Sequence, residues 1–197
     1  MKIIFIFNFF YIILFTNVNI AYSISPDVFI QSTVNRASQV LSENISKEEK
    51  INKLKTIAME TVDIRGVGFY SLGPARKDLN DEQKKTYYNL FKNYFLKSFS
   101  GRLVGYPDAK IAILSEEVKN EKYTIVFSKL IGTSDRPEVK IDWRVYTKDP
   151  ENLLIRDLII EGLSLARTQK EEFNSIIINN GNNIDALFEN LNKFLEN

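Results

Sequence analysis

The stretch from Val139 to Asn180 constrains the fold of this 197-residue chain more than any other. It begins with an alternating segment, in which Val139, Ile141, Trp143 and Val145 fall on one side of a β-strand. The next segment, residues 153–160, is interrupted only by one arginine and one aspartate in an otherwise apolar run. A strand that is apolar on both faces must be covered on both faces. The rest of the chain must therefore supply cover for both sides of this strand.

The N-terminus has the layout of a secretory signal peptide. Met1 and Lys2 precede an apolar run over residues 3–15, and Ala21-Tyr22-Ser23 forms a small-x-small cleavage site. The apolar run is shorter than the roughly 20 residues that a membrane-spanning helix needs. We therefore expect residues 1–23 to be a signal peptide that is cleaved after Ser23. An uncleaved N-terminal anchor is the alternative interpretation.

The composition excludes most familiar catalytic and metal sites. The sequence contains no histidine and no cysteine, so the usual zinc, haem, Ser-His-Asp and thiol sites have no ligands or nucleophiles. Without cysteine the chain forms no disulfide and carries no thiol for a lipid anchor. The 26 basic residues nearly balance the 25 acidic ones, whereas nucleic-acid binding depends on a basic surplus. We expect no cofactor, no metal and no nucleic-acid partner.

Helical periodicity marks both ends of the chain, and strand periodicity marks its middle. Capping boxes begin two of the helices, one at Ser46 with Glu49 and one at Asn80 with Gln83. The predicted helices are two within 26–62, a short one within 63–76, and those over 81–104, 166–180 and 183–195. The predicted strands cover residues 110–114, 122–131, 138–147 and 152–160. Short turns between the strands imply an antiparallel meander, so we predict one α+β domain with a curved four-stranded sheet.

Two acidic residues are candidates for catalysis. Asp157 and Glu161 lie in or next to the most apolar strand, at a spacing that places them on the same side. Such a pair could perform general acid-base chemistry without histidine. The structural alternative is a half-buried charge that pairs with Arg144 or Arg156 and fixes the strand register or the loop geometry.

An aromatic row on the longest predicted helix is a candidate for ligand binding. The row consists of Tyr87, Leu90, Phe91, Tyr94, Phe95 and Phe99. Apolar cavities are built from the same residue types as cores, so periodicity alone does not distinguish a packed core from an acyl-chain cavity. Aromatic helix faces usually pack in a core, and composition alone favours that interpretation. The apolar stripe on every predicted helix is the observation that instead favours a cavity.

Several segments resemble the MlaC family, which comprises periplasmic phospholipid-binding proteins also called toluene-tolerance auxiliary proteins. The sequence VKIDWRV at 139–145, the following strand with Asp157, and EGLSL at 161–165 are similar to the end of that family's sheet. The family's C-terminal pattern is matched by Phe173, Gly181, Ile184-Asp185 and Leu187. Its long helix is matched by FKNYFL at 91–96 and SGRL at 100–103, and its short glycine-containing helix is matched by residues 68–76. The resemblance covers nearly all of residues 24–197.

This resemblance implies a non-enzymatic periplasmic shuttle, whose domain at 24–197 combines an NTF2-like cone of four strands with about six helices. A glycerophospholipid would be held by its acyl chains in an apolar pocket, with its head group near solvent. The partners would be the MCE-domain component of an inner-membrane ABC transporter and an outer-membrane lipoprotein complex, and the process would maintain outer-membrane lipid asymmetry. Each buried methylene contributes roughly 0.8 kcal/mol, so two acyl chains need such a carrier to cross water.

The resemblance also implies a set of lipid-binding side chains, which it assigns by apolar character and by place in the motifs. They are Phe69, Leu72, Phe95, Phe99, Val139, Ile141, Trp143, Val145, Leu158, Ile160 and Leu163. The sequence leaves open which face of the last strand lines the pocket. Two alternative functions also remain: a small hydrolase or isomerase that uses Asp157 or Glu161, and a protein-binding module whose apolar residues all pack in a closed core.

Overall fold

A computed structural model describes residues 24–134 and 136–197. The predicted signal peptide, residues 1–23, lies outside the described residues. Within the described part, six α-helices and one 3-10 helix accompany a single antiparallel sheet, which confirms the α+β class. The helices are α1 (Pro26–Ser42), α2 (Lys47–Thr61), α3 (Ile64–Ser71), the 3-10 helix (Gly73–Lys77), α4 (Asp81–Leu103), α5 (Leu165–Asn179) and α6 (Ile184–Glu196). The strands are β1 (Ile111–Asn120), β2 (Tyr123–Leu130), β3 (Val139–Tyr146), β4 (Leu154–Ile160) and β5 (Leu163–Ser164).

Both predicted capping boxes begin helices in the structure. The Ser46 hydroxyl accepts a hydrogen bond from the Glu49 amide at the start of α2, and the Glu49 carboxylate accepts one from the Ser46 amide. Asn80 and Gln83 make the same pair of bonds at the start of α4. Each box satisfies two amide groups that the first helical turn leaves without partners. Local sequence therefore fixes where these two helices begin.

The sheet has five strands rather than the predicted four, and it is open. Its order is β1-β2-β3-β4-β5, and every neighbouring pair is antiparallel. The additional strand, β5, pairs with the end of β4 through a two-residue turn at Glu161 and Gly162, whose φ angles are 49° and 82°. A two-residue hairpin turn of type I′ requires positive φ at both central residues, and glutamate seldom adopts it. For this reason the sequence pattern did not reveal β5.

The first strand is also longer than its periodicity indicates. We predicted a strand over 110–114, whereas β1 continues to Asn120. Register shifts fall between Ile113 and Ser115 and between Val118 and Asn120. Such irregularities break the alternation of side chains between the two faces of a strand. The second half of β1 is exposed, so it also lacks the apolar positions that mark a strand in sequence.

The two faces of the sheet have different surroundings. On one face, which we call the α1 face, Trp143 and Val145 pack with Val126 against Ile30 and Val34 of helix α1. This arrangement confirms the predicted alternation along β3. A second apolar cluster lies among α3, α4, α5 and α6, where the side chains of Tyr87, Phe91, Leu187 and Leu191 are almost fully buried. The opposite face of the sheet, which we call the cavity face, borders the candidate site.

Candidate functional site

A partly enclosed cavity of about 770 Å³ lies between helix α3 and the cavity face of the sheet. Its volume is within the range of roughly 300–1,000 Å³ that ligand-binding pockets typically have. The lining residues come from α3, the 3-10 helix, α5 and strands β1 to β4. They are Gly66, Val67, Phe69, Tyr70, Arg76, Lys119, Asn120, Tyr123, Ile125, Phe127, Asp142, Arg144, Arg156, Ile159 and Ala166.

Strand pairing places the charged lining residues of β3 between apolar lining residues of β2 and β4. Ile125 of β2 lies opposite Arg144 of β3, and Phe127 lies opposite Asp142. On the other side of β3, Asp142 lies opposite Ile159 of β4. Directly paired residues in an antiparallel sheet share one face. The cavity face therefore combines an apolar floor from β2 and β4 with a charged row along β3.

Arg156 ties helix α3 to the sheet at one wall of the cavity. Its Nε and Nη2 lie 2.7 Å and 2.6 Å from Oδ2 of Asp63, the residue that also caps α3 by accepting a hydrogen bond from the Gly66 amide. Its Nη1 donates to the Tyr123 hydroxyl, and its guanidinium lies 3.9 Å from the ring centre of Tyr146. Such a guanidinium is well satisfied by neighbouring groups. Its role is to hold the wall in place.

Asp157 joins strand β4 to the start of helix α5 next to the cavity. Its side chain is 1% exposed, and its carboxylate accepts hydrogen bonds from the Ser164 hydroxyl at 2.6 Å and the Ala166 amide at 2.9 Å. Ser164 in turn caps α5 by accepting from the Arg167 amide. Arg144 lies 3.5 Å away with a side chain that is 40% exposed. The carboxylate thus joins β4 to the start of α5 and lies beside Arg144.

The carboxylate of Asp142 has no comparable partner. No hydrogen bond or ion pair joins it to any residue of the described ranges 24–134 and 136–197, although it is half-buried within the cavity lining. Burial raises its pKa, the nearby Lys140 charge lowers it, and Glu161 raises it further. The cavity lining therefore includes one half-buried acidic group, Asp142, and four basic side chains, which are Arg76, Lys119, Arg144 and Arg156.

The raised pKa of Asp142 predicts how stability depends on pH. A carboxyl group whose pKa rises on folding destabilises the folded state above that pKa, and this effect disappears below the ordinary value of about 3.9. We expect Asp142→Asn to raise the melting temperature at pH 7 and to lose that advantage as the pH falls toward 4. Thermal unfolding of both proteins across this range measures the difference. A constant difference at every pH would contradict the assignment of the effect to Asp142 ionisation.

Of the side chains predicted to bind lipid, Phe69 lines this cavity. The strand residues Ile141, Trp143, Val145, Leu158 and Ile160 belong to the α1 face, as the pairing of Trp143 with Leu158 and of Ile141 with Ile160 shows. Val139 begins the same strand opposite Leu130. Leu163 is 59% exposed on β5. Lipid contact by these residues remains a prediction, but they do not face the cavity.

The predicted aromatic row of α4 packs mainly with other helices. Phe95 and Phe99 stack with ring centres 5.6 Å apart, and both are half-buried beside the helical cluster. Tyr87 and Leu72 are fully buried in the same cluster. Tyr94 contacts Phe173 of α5 and donates a hydrogen bond to the Gln169 side chain. The row is therefore largely a core, with Phe95 and Phe99 at its margin.

The two acids considered for catalysis have separate environments. Asp157 is buried and bonded as described above, whereas Glu161 lies in the turn after β4, where it is exposed. Its Oε1 accepts a hydrogen bond from the Lys140 amide. A general acid or base must lie within hydrogen-bond reach of the proton that it transfers to or from the substrate. Asp157 instead matches the structural alternative, since it pairs with Arg144 and fixes the geometry between β4 and α5.

Sequence reasoning did not identify the polar lining residues of the cavity. Asp142 and Arg144 alternate with the apolar residues of β3, so the pattern placed them on the other face of the strand and did not indicate that this face lines a cavity. Tyr123, Ile125 and Phe127 recur at every second position of β2, and this period was the available signal.

Among the helices of the described residues, none combines the length and the apolar character that a membrane crossing requires.

The fold is similar to that of a phospholipid-binding protein from Ralstonia solanacearum, whose structure was solved in complex with a phospholipid. The two structures superpose with a TM-score of 0.75, at 17% sequence identity. The match covers 88% of this chain and 98% of the Ralstonia chain. At this level of identity, the similarity establishes a shared fold. The sequence model described as MlaC protein matches residues 31–193, which is most of the chain. This chain therefore belongs to the MlaC family.

Proposed function

We propose that this protein binds a glycerophospholipid in the cavity between α3 and the cavity face of the sheet. The observation that carries the proposal is an apolar floor, formed by Ile125, Phe127 and Ile159, beside the charged row of Asp142 and Arg144 in a cavity of about 770 Å³. Membership of the MlaC family and the fold shared with a phospholipid-bound protein support it. The apolar floor receives acyl chains, and the charged row lies near the head group.

The energetics of such a complex favour a carrier. Each methylene that leaves water contributes roughly 0.8 kcal/mol, so the acyl chains provide most of the binding free energy. Val67 and Phe69 of α3 face the strand residues across the cavity and supply apolar contacts from the helical side. A phosphate group needs charged or polar partners, which Arg144 and Arg76 offer at the cavity wall.

The proposed role is a periplasmic shuttle without catalysis and without a cofactor. It would exchange phospholipid with the MCE-domain component of an inner-membrane ABC transporter and with an outer-membrane lipoprotein complex, and so maintain outer-membrane asymmetry. Family membership supports this role. The buried, fully bonded state of Asp157 supports binding rather than acid-base chemistry.

Neighbouring residues of β4 provide a matched test, because Ile159 and Ile160 lie on opposite faces of the same strand. Both are half-buried, and Ile159 lines the cavity. We expect Ile159→Trp to lower the amount of copurified phospholipid by about tenfold, since overpacking an apolar site costs about 1–3 kcal/mol. Ile160→Trp should leave the amount unchanged. Native mass spectrometry of the protein purified from a bacterial host measures the bound lipid.

The outcomes of this experiment separate three hypotheses. A lipid loss confined to Ile160→Trp would place the ligand on the α1 face, in agreement with the residues that the family resemblance selects. An absence of phospholipid from the unaltered protein, even after incubation with vesicles, would instead favour a closed-core binding module. Circular dichroism of both variants provides the control, because a folding defect would lower lipid binding in either case.

A further inference from the structure

Residues 64–77, which include α3 and the 3-10 helix, carry a local surplus of positive charge. They contain Arg65, Arg76 and Lys77 and no acidic residue. All three basic residues are exposed, and none forms an ion pair within the part of the chain that the structure describes. The whole sequence, by contrast, has 26 basic and 25 acidic residues. Residues 64–77 therefore form a cationic segment on a chain that is almost neutral.

The acidic residues on either side of the cationic segment do not cancel its charge. Asp63, immediately before the segment, is already paired with Arg156, whose Nη2 lies 2.6 Å from the Asp63 Oδ2. Asp78, immediately after the segment, is exposed and contributes a single negative charge. Most of the positive charge of the segment is therefore available to an anionic partner.

Lys170 of helix α5 adds a fourth cation next to this segment. Its Nζ lies 5.5 Å from the ring centre of Tyr70, and a β-carbon at Gly73 would lie 3.0 Å from its Cε. Among the described residues, Lys170 forms no ion pair either. Glu171 follows it along α5, but adjacent residues of a helix do not face each other. Lys170 therefore extends the basic surface from the cationic segment onto α5.

The cationic segment also borders the opening of the cavity. Tyr70 and Arg76 both line the cavity, and both are exposed, Tyr70 to 40%. A residue that lines a cavity and is also exposed lies where the cavity meets solvent. Tyrosine is enriched at lipid–water interfaces, where its ring lies among apolar groups and its hydroxyl group in water. The opening of the cavity therefore presents an exposed aromatic ring beside several cations.

We propose that the cationic segment, together with Lys170 and Tyr70, docks onto the surface of an anionic phospholipid bilayer. Clusters of lysine and arginine are attracted to such a surface by its negative potential, which acts over about one Debye length. An acidic protein would attract the same cations. The continuity of the segment with the cavity favours the bilayer, and this choice rests on the proposed phospholipid function. Docking would place the opening of the cavity against the lipid surface.

Centrifugation with two kinds of vesicle tests this surface. One kind contains equal amounts of phosphatidylglycerol and phosphatidylcholine, and the other contains phosphatidylcholine alone. We expect the protein to pellet with the anionic vesicles and to stay in solution with the neutral ones. Added sodium chloride should release it, because the Debye length falls from about 10 Å at 0.1 M salt to about 3 Å at 1 M.

Two basic residues that do not line the cavity provide the variants. We expect Lys77→Gln to weaken the partition constant for anionic vesicles about fivefold, since each basic residue near such a surface adds about that factor. Arg65→Gln combined with Lys77→Gln should weaken it about 25-fold. Lys47→Gln is the matched control, because Lys47 is exposed at the start of α2 and lies outside the cationic segment. It should leave the partition constant unaltered.

The outcomes separate docking from lipid uptake. Equal binding to neutral vesicles, or an equal loss with Lys47→Gln and Lys77→Gln, would overturn the inference. Ile159→Trp should still bind anionic vesicles, because Ile159 lies inside the cavity. If this variant no longer binds them, the association is uptake of lipid and the inference is wrong. If the protein copurifies with phospholipid but binds neither kind of vesicle, the inference fails and the proposed function stands. If it binds anionic vesicles but never contains phospholipid, the proposed function fails and the docking surface stands.

Discussion

Replacement of Tyr87 by alanine is expected to lower the free energy of unfolding by about 3–5 kcal/mol, the cost of truncating a large aromatic side chain in a packed core. Tyr87 is fully buried at the centre of the helical cluster. Its ring centre lies 6.0 Å from that of Phe69, 5.8 Å from that of Phe91 and 6.4 Å from that of Phe188. The variant would therefore leave a cavity among α3, α4 and α6. Urea denaturation followed by circular dichroism measures the change.

Tyr87→Phe is the control, because it keeps the ring and removes only the hydroxyl group. That hydroxyl donates a 2.8 Å hydrogen bond to the Gly68 carbonyl, and burial raises its pKa, so it stays protonated. The Gly68 carbonyl also accepts from the Leu72 amide. Loss of the hydroxyl should cost about 1 kcal/mol. An alanine variant no less stable than the phenylalanine variant would show that the ring contributes little to the core.

Helix α3 connects the helical cluster around Tyr87 to the candidate site. Phe69 contacts Tyr87 on one side and lines the cavity on the other. Gly68 allows α3 to approach α4, since a β-carbon at this position would lie 2.6 Å from the Phe91 ring. A weakened helical cluster should therefore also loosen one wall of the cavity. For this reason the stability of the Tyr87 variants should be measured before any lipid binding is compared.

Local sequence signals predicted most of the secondary structure. The capping boxes at Ser46 and Asn80 begin helices in the structure because side chain and backbone groups three residues apart complete each other's hydrogen bonds. The alternation of β3 also agrees with its buried positions, Trp143 and Val145. Helix starts and strand faces depend on neighbouring residues alone. These features are accordingly the ones that sequence reasoning recovers.

The location of the cavity could not be predicted in the same way. It depends on which face of the sheet helix α1 covers and on which face α3 borders. Both are set by tertiary packing between residues that are distant in sequence. Apolar residues on both sides of β4 made its two faces equivalent in sequence. The lipid-binding residues were predicted by their apolar character. That prediction therefore selected Ile141 and Trp143 and omitted the charged row of β3 that holds Asp142. The resemblance identified the family, and strand pairing was needed to assign the faces.

The pairing of the acidic residues was only partly evident from the sequence. Arg144 lies beside Asp157, as the structural alternative predicted. Arg156, the other proposed counter-charge, pairs instead with Asp63 at the start of α3. Asp63 is distant in sequence, so no local pattern indicates this contact. Long-range ion pairs depend on the register of β4 against the chain that leaves α2.

Removal of the Asp157 carboxylate is expected to destabilise the protein by about 3 kcal/mol, because buried donors that lose their acceptor cost about 1–3 kcal/mol each. Asp157→Ala would leave the Ser164 hydroxyl and the Ala166 amide without this acceptor. It would also leave Arg144 without its nearest carboxylate. The start of α5 and the strand β5 should loosen together. Hydrogen exchange of the amides of α5, with urea denaturation, measures both effects.

Glu161→Gln is the comparison that separates a structural role from a catalytic one. Glu161 is exposed, and glutamine keeps an oxygen that can accept from the Lys140 amide, so we expect a change of less than about 0.5 kcal/mol. An enzyme that used Asp157 or Glu161 as a base would lose turnover with either variant while its stability stayed constant. The hydrogen bonds that the Asp157 carboxylate accepts from Ser164 and Ala166 instead hold the sheet and helix α5 together. An Asp157→Ala protein as stable as the unaltered chain would contradict this structural role. The Asp157 carboxylate would then again be a candidate for catalysis.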